Sequence, residues 1–169
     1  IITYVRKGAI THKDSMGNEG RTAAGDVQVM SAGTGVRHAE YNLEDETTTL
    51  FQIWALPRAA GGAPSWGAKP FPQGDRSGRF AVLASGYEAD ADALRIRADA
   101  RLLGATVQAG ETLTYDLDDD RFAYLVPATG RVEINGQPFE ARDGAAIRGG
   151  GSVVIKALED SEIVLVDSQ

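Results

Sequence analysis

The chain has no cysteine and only two histidines among its 169 residues. The first absence excludes disulfides, thiolate metal sites and a cysteine nucleophile, and it leaves the redox compartment open. The second confines imidazole chemistry to His12 and His38. Basic residues are outnumbered, 17 Lys and Arg against 24 Asp and Glu, for a net charge of -7 and a pI near 4.8. Phosphate backbones are held by clustered Lys and Arg, so a direct nucleic-acid surface is not expected. No apolar run approaches the roughly 20 residues that cross a bilayer, and no basic-then-apolar leader opens the chain. The expectation is a cytoplasmic protein with no membrane partner.

Hydrophobic residues make up 43% of the chain, enough for one compact domain or two small ones. They come in short runs such as "IITYV", "DVQVMSA", "LFQIWAL", "RFAYLVP", "SVVIKAL" and "EIVLVDS", broken by Gly, Asn and Asp. This spacing is the signature of a sandwich or barrel, and the fold class expected is all-β. "YEADADALRI" is the one stretch with room for a short helical turn. Asn135–Gly136, between "RVEI" and "QPFEA", predicts a type I′ hairpin. Residues 57–79 carry four of the six prolines and read as a linker between β units, with Trp66 and Phe71 seeking something to pack on.

The two sides of that linker resemble each other. "GDVQVMSAGTGVRHAEYN" overlays "RDGAAIRGGGSVVIKALE" without a gap, which implies two copies of one supersecondary unit. Asp26 then meets Asp143, Gly33 meets Gly150, His38 meets Ile155 and Glu40 meets Ala157.

His38 and Glu40 lie two apart in a strand-like run and so project to one face. Imidazole nitrogen plus carboxylate oxygen suits Fe, Mn, Ni, Cu or Zn. An isolated H-x-E reads more readily as an exposed polar pair on a polar strand face. Two features weigh against that reading: the "GTG" just before it implies a close backbone approach, and the second copy is apolar at both positions. His12, beside Lys13 and Asp14 at what reads as a solvated edge, is expected to be a surface or hydrogen-bonding residue rather than a ligand. Asp118, Asp119 and Asp120 form an acidic turn without the alternating ligands and distal Glu of a calcium loop. "RGGGS" at residues 148–152 lacks the Lys-Ser/Thr of a phosphate loop. No nucleophile elbow accompanies His38. Trp54 and Trp66 read as core and linker packing.

"AGD…SAGTGVRHAEYN" resembles the second cupin motif, a Gly-Asp turn followed by a strand closing on H-x3-N, here His38 and Asn42. More narrowly, "IITYVRKGAITHKDSMGN" with "AGDVQVMSAGTGVRHAEYN" is similar to the pirin family, and within it to the YhhW-like bacterial bicupins of quercetin 2,3-dioxygenase type. Ala24 departs from the usual proline before Gly-Asp. The resemblance implies two β-barrel or jelly-roll cupin domains: residues 1–56 as a partial N-terminal cupin, 57–79 as linker, and 80–169 as a C-terminal cupin with no metal site.

It also implies a mononuclear divalent transition metal, most often Fe, with Ni, Cu, Mn and Zn as alternatives. Three histidines and one glutamate hold it, and His38 and Glu40 match the last two of these ligands. The other two belong to an H-P-H-R-type motif ahead of the strand matched by "IITYV", whereas His12 matches a non-ligand. Because the chain opens with Ile inside a strand-like run, an N-terminal segment is expected to precede it. With two of four ligands, the metal is expected to be weakly held or absent. The partners implied are a flavonol-like small molecule and O2, with oxygenolytic ring cleavage as the reaction and Glu40 as the base for the flavonol hydroxyl. Two alternatives stand beside this: a non-enzymatic protein-binding regulator, and an open barrel edge that takes a swapped strand.

Overall fold

The computed structural model describes residues 1–71 and 73–169, with the backbone alone described at Gln73 and Asp75. Pro72, within the expected linker, lies outside the described residues. The chain divides into two units, Ile1–Pro72 with Ala84–Asp99, and Gln73–Leu83 with Ala100–Gln169. The segment 57–79 is therefore shared between the units, and the chain returns to the first at Ala84–Asp99.

In the first unit, β1 (Ile2–Lys7), β4 (Val27–Ser31), β6 (Thr49–Ile53) and β7 (Ser65–Lys69) form one antiparallel sheet in the order β6-β1-β4-β7. A second sheet has the order β3-β2-β5, from β2 (Ala9–Asp14), β3 (Glu19–Ala23) and β5 (His38–Tyr41). A short parallel pairing joins the end of β8 (Ala81–Ser85) to β9 (Leu94–Arg95). Within residues 87–96, the stretch with room for a helical turn, bends and turns lead into β9 instead; the only helical segment among the described residues is a 3-10 turn, Gln73–Arg76. β1 occupies an interior place in its sheet and is buried at its first four residues. The apolar core of this unit includes Ile2, Tyr4, Val5, Ile10, Val27, Val29 and Met30. Among these sit buried polar groups, Thr3, His12, Thr22 and Gln28.

The second unit has β10 (Ala100–Val107), β11 (Thr112–Leu117), β12 (Phe122–Thr129), β13 (Val132–Ile134), β14 (Gln137–Phe139), β15 (Ala145–Arg148), β16 (Gly151–Ala157) and β17 (Ser161–Ser168). The hairpin between β13 and β14 turns at Asn135 and Gly136, whose φ angles of 48° and 84° are the two positive values of a type I′ turn. One sheet runs β15-β12-β17-β10 and the other β11-β16-β13-β14.

The repeat seen in the sequence is a repeat of topology. The neighbours β6-β1-β4 and β3-β2-β5 reappear as β17-β12-β15 and β14-β13-β16. β10 and β11 extend the second unit beyond β17 and β16; among the described residues, no strand flanks β6 or β5 in that way.

Candidate metal centre

The pairing of β2 with β5 sets His12 opposite Glu40 and Asp14 opposite His38. Directly opposed residues of an antiparallel pair share a face, and so do residues two apart on one strand. All four side chains therefore leave the same side of the small sheet. His12, His38 and Glu40 bring a ligand atom each to within 4.8 Å of one another.

His12 is not the solvated edge residue that its neighbours suggest. The strand's alternation turns Lys13 outward and His12 inward, where it is 0% exposed. Its ring stacks on Trp66 at 5.0 Å between centroids and on His38 at 5.6 Å. Trp66 reaches this place from β7 because Gly20, opposite His12 on β3, has no side chain; a Cβ there would lie 2.2 Å from the indole. Trp66 thus packs against the site, while Trp54, expected in the core, is 74% exposed.

Asp14 orients the His12 ring. Its Oδ2 lies 3.2 Å from His12 Nε2 and also accepts from the Asn18 amide, and its Oδ1 accepts the backbone N–H groups of Met16 and Asn18. Burial pushes the Asp14 carboxyl up, but the hydrogen bonds from Asn18, His12 and Met16 outweigh it and hold it at about 2. An ionised carboxylate only accepts, so the imidazole proton of neutral His12 sits on Nε2 and Nδ1 carries the lone pair. That Nδ1 is buried without a hydrogen-bond partner.

Glu40 is half-buried and faces a polar row on the larger sheet. Gln28 on β4 and Gln52 on β6 both pair with Thr3 of β1, so the three side chains share one face of three adjacent strands. Gln28 Nε2 donates to Glu40 Oε1, Thr3 Oγ1 lies 3.5 Å from the same oxygen, and Gln52 Nε2 donates to Oε2 at 3.2 Å. The sequence reading missed this row. A signal existed in Gln28, a polar residue between Val27 and Val29 whose repeat partner is Ala145.

The second unit shows what the same framework holds without a site. The gapless overlay and the strand registers match His38, Glu40, His12 and Asp14 to Ile155, Ala157, Val132 and Ile134. They match Gln28, Thr3 and Gln52 to Ala145, Leu125 and Leu165. All seven counterparts belong to the second unit's hydrophobic core. The first unit has replaced a packed core with imidazoles, carboxylates and amides at matching positions, and burial of such groups opposes folding unless each finds a partner. The donor set suits a borderline divalent cation: two imidazoles, one of them His12 with its buried Nδ1 lone pair unmatched, and one carboxylate.

Elsewhere, Asp118, Asp119 and Asp120 lie in the β11–β12 turn, outside any candidate ligand cluster among the described residues. The "GTG" before His38 does make a close approach: Gly33, at φ 54°, has no room for a Cβ against the Gly62 carbonyl, and Thr34 N–H donates to that carbonyl at 2.9 Å. No helix among the described residues is long and apolar enough to cross a membrane.

Antiparallel sheets repeated along the chain, with a polar ligand cluster that among the described residues lies in the first copy alone, define a two-domain cupin. The family model for pirin matches residues 1–55, and that for the quercetinase C-terminal cupin domain matches residues 82–168. A pirin-like protein from Caulobacter vibrioides is 68% identical over 99% of this chain and 72% of its own length. A quercetin 2,3-dioxygenase from Escherichia coli is 35% identical over 99% of this chain and 71% of its own length. The crystal structure of the bacterial pirin YhhW in complex with nickel(II), also from Escherichia coli, matches with a TM-score of 0.90 at 33% identity, over 99% of this chain and 71% of that one. The chain belongs to the pirin family.

Proposed function

We propose that the first unit binds one divalent transition metal through His38 and Glu40, and that the protein cleaves a flavonol-like substrate with O2 in the manner of a quercetin 2,3-dioxygenase. The observation that carries this reading is the contrast between the units. Seven positions that are apolar core in one copy hold a convergent His, Glu, Asp, Gln and Thr cluster in the other. The nickel-bound pirin at 33% identity and the quercetin 2,3-dioxygenase at 35% identity support it.

Iron is the metal proposed, since O2 chemistry favours a redox-active ion; imidazole and carboxylate ligands accept nickel, copper, manganese or zinc as well. A bound metal would supply a Lewis-acidic, oxygen-reactive centre beside the substrate. In this reading Glu40 is the base that would take the proton of a flavonol hydroxyl; what supports it is a carboxylate oxygen within 4.8 Å of the ring nitrogens offered by His12 and His38. Asp14 keeps His12 in one tautomer, and the stacked rings of Trp66 and His12 back His38 on its buried side.

The test is quercetin consumption and O2 uptake by the iron-supplemented protein, compared with its Glu40→Gln and His38→Ala variants. Metal-dependent turnover lost in both variants supports the reading. Turnover that persists in His38→Ala, or no turnover by the iron-loaded protein, overturns it.

A further inference from the structure

We propose that Gln28, Gln52 and Trp54 form a hydrogen-bonded clamp that positions the Glu40 carboxylate. The inference deepens the metal-site reading and rests on it for its consequence, though not for its geometry.

A glutamine amide presents a donor at one end and an acceptor at the other, so the partner at one end decides which end faces the carboxylate. For Gln52 that partner is Trp54, whose indole N–H donates to Gln52 Oε1 at 3.0 Å. An indole nitrogen only donates, which leaves the NH2 of Gln52 to face Glu40 Oε2. For Gln28 the partner is Thr22, whose hydroxyl donates to Gln28 Oε1 at 3.1 Å, with the NH2 on Glu40 Oε1. Each carboxylate oxygen of Glu40 is thus held by a glutamine NH2. The Gln52 amide is oriented from behind by a group that can only donate, while at Gln28 the acceptor-only carboxylate sets the amide and the Thr22 hydroxyl, able to donate or accept, completes it.

The two amides come from β4 and β6, on either side of β1, while Glu40 comes from the other sheet. Two donors this far apart restrict rotation of the terminal carboxylate torsion, which is otherwise soft. The clamp also explains Trp54. With 74% of its surface exposed it adds little to the core, and the hydrogen bond to Gln52 is the contact that gives it a task. In the second unit, Ala145 and Leu165 stand in the places of Gln28 and Gln52, and no carboxylate is present to need them.

Outer hydrogen bonds that orient a metal ligand typically change affinity by about 10- to 100-fold. Two readouts test the clamp on the full chain. The first is the side-chain amide NMR of the metal-free protein. Glu40→Ala is expected to move the Gln28 and Gln52 NH2 resonances together, and Trp54→Phe to move Gln52 while leaving Gln28 in place. The second is Ni2+ titration, in which Gln28→Met and Gln52→Met are each expected to weaken binding about tenfold or more, with melting temperatures recorded alongside. Gln52 is exposed, so its variant keeps the test informative if the buried Gln28 variant fails to fold.

Side-chain amides that ignore Glu40→Ala, or a Gln52→Met variant that binds Ni2+ as tightly as the unmodified protein, overturn the clamp. Failure of the unmodified protein to take up Ni2+ overturns the metal reading instead, and the amide resonances then decide the clamp by themselves.

Discussion

His12 lies directly across from Glu40 in the pairing of β2 with β5, 28 positions apart in sequence and side by side on one face of the sheet. That register makes a buried imidazole part of a site that the H-x-E pair alone leaves incomplete. The same pairing in the second unit sets Val132 against Ala157, and the cluster there is apolar core. The contrast between these two pairs leads to measurable differences.

Glu40→Ala and Glu40→Gln will separate in stability. Removing the carboxylate strips the acceptor from Gln28 Nε2, whose side chain is 2% exposed, and an unsatisfied buried donor costs about 1–3 kcal/mol. Glu40→Gln keeps an acceptor oxygen and is expected to cost less than about 1 kcal/mol. Urea denaturation of the metal-free proteins measures both; equal losses would contradict the assignment of Glu40 as the partner of Gln28.

His38 and Ile155 occupy equivalent positions with opposite roles. Ile155 is fully buried, so Ile155→Ala is expected to destabilise by about 2–5 kcal/mol through lost packing and a residual cavity. His38 is exposed, and His38→Ala is expected to stay within about 0.5 kcal/mol while removing a metal donor. Denaturant midpoints and Ni2+ titration together report both effects.

Gly20→Ala will disturb the wall behind His12. The added Cβ would meet Trp66 Cη2 at 2.2 Å, so the indole must move off the His12 ring. Overpacking of this kind costs about 1–3 kcal/mol. The chain has two tryptophans, so a Trp54→Phe background isolates Trp66. A red-shifted Trp66 emission and a lower denaturation midpoint are the expected signs.

Asp14 gives the metal-free protein an acid-sensitive component of stability. Its folded carboxyl is held at about 2, below the usual value of 3.8, by the hydrogen bonds from Asn18, His12 and Met16. A carboxyl depressed on folding contributes stability that is fully present above its unfolded value and is lost as the pH falls through its folded value. Relative to Asp14→Asn, the protein should therefore hold a constant advantage above about pH 4 that shrinks toward pH 2. Denaturation curves of the pair between pH 7 and 2 (as a function of pH, with chelator present) measure it; a difference independent of pH would remove Asp14 from this role.

Much of the architecture was legible before folding. Short apolar runs between turn residues indicated all-β structure, Asn135–Gly136 marked its hairpin, and the internal overlay anticipated that β4 and β5 return as β15 and β16. His38 and Glu40 were legible as a pair because strand alternation is local, and so was their replacement by Ile155 and Ala157. His12 was misread because its immediate neighbours are charged, whereas its burial depends on Trp66 arriving from β7 and on Gly20 making room for it. The separation of units was also drawn differently: residues 84–99 count with the first unit, through contacts remote in sequence.

Sequence alone therefore determined the strands, their turns, the repeat and the one-faced His38–Glu40 pair, all set by periods of two residues and by local backbone preference. Tertiary structure decided that His12 joins them, that Asp14 orients it, and that Thr3, Gln28 and Gln52 line up against Glu40. These are questions of register between strands far apart in the chain. A slip of one residue would turn every one of those side chains to the opposite face, so only the assembled sheets, with their cores packed, can settle them.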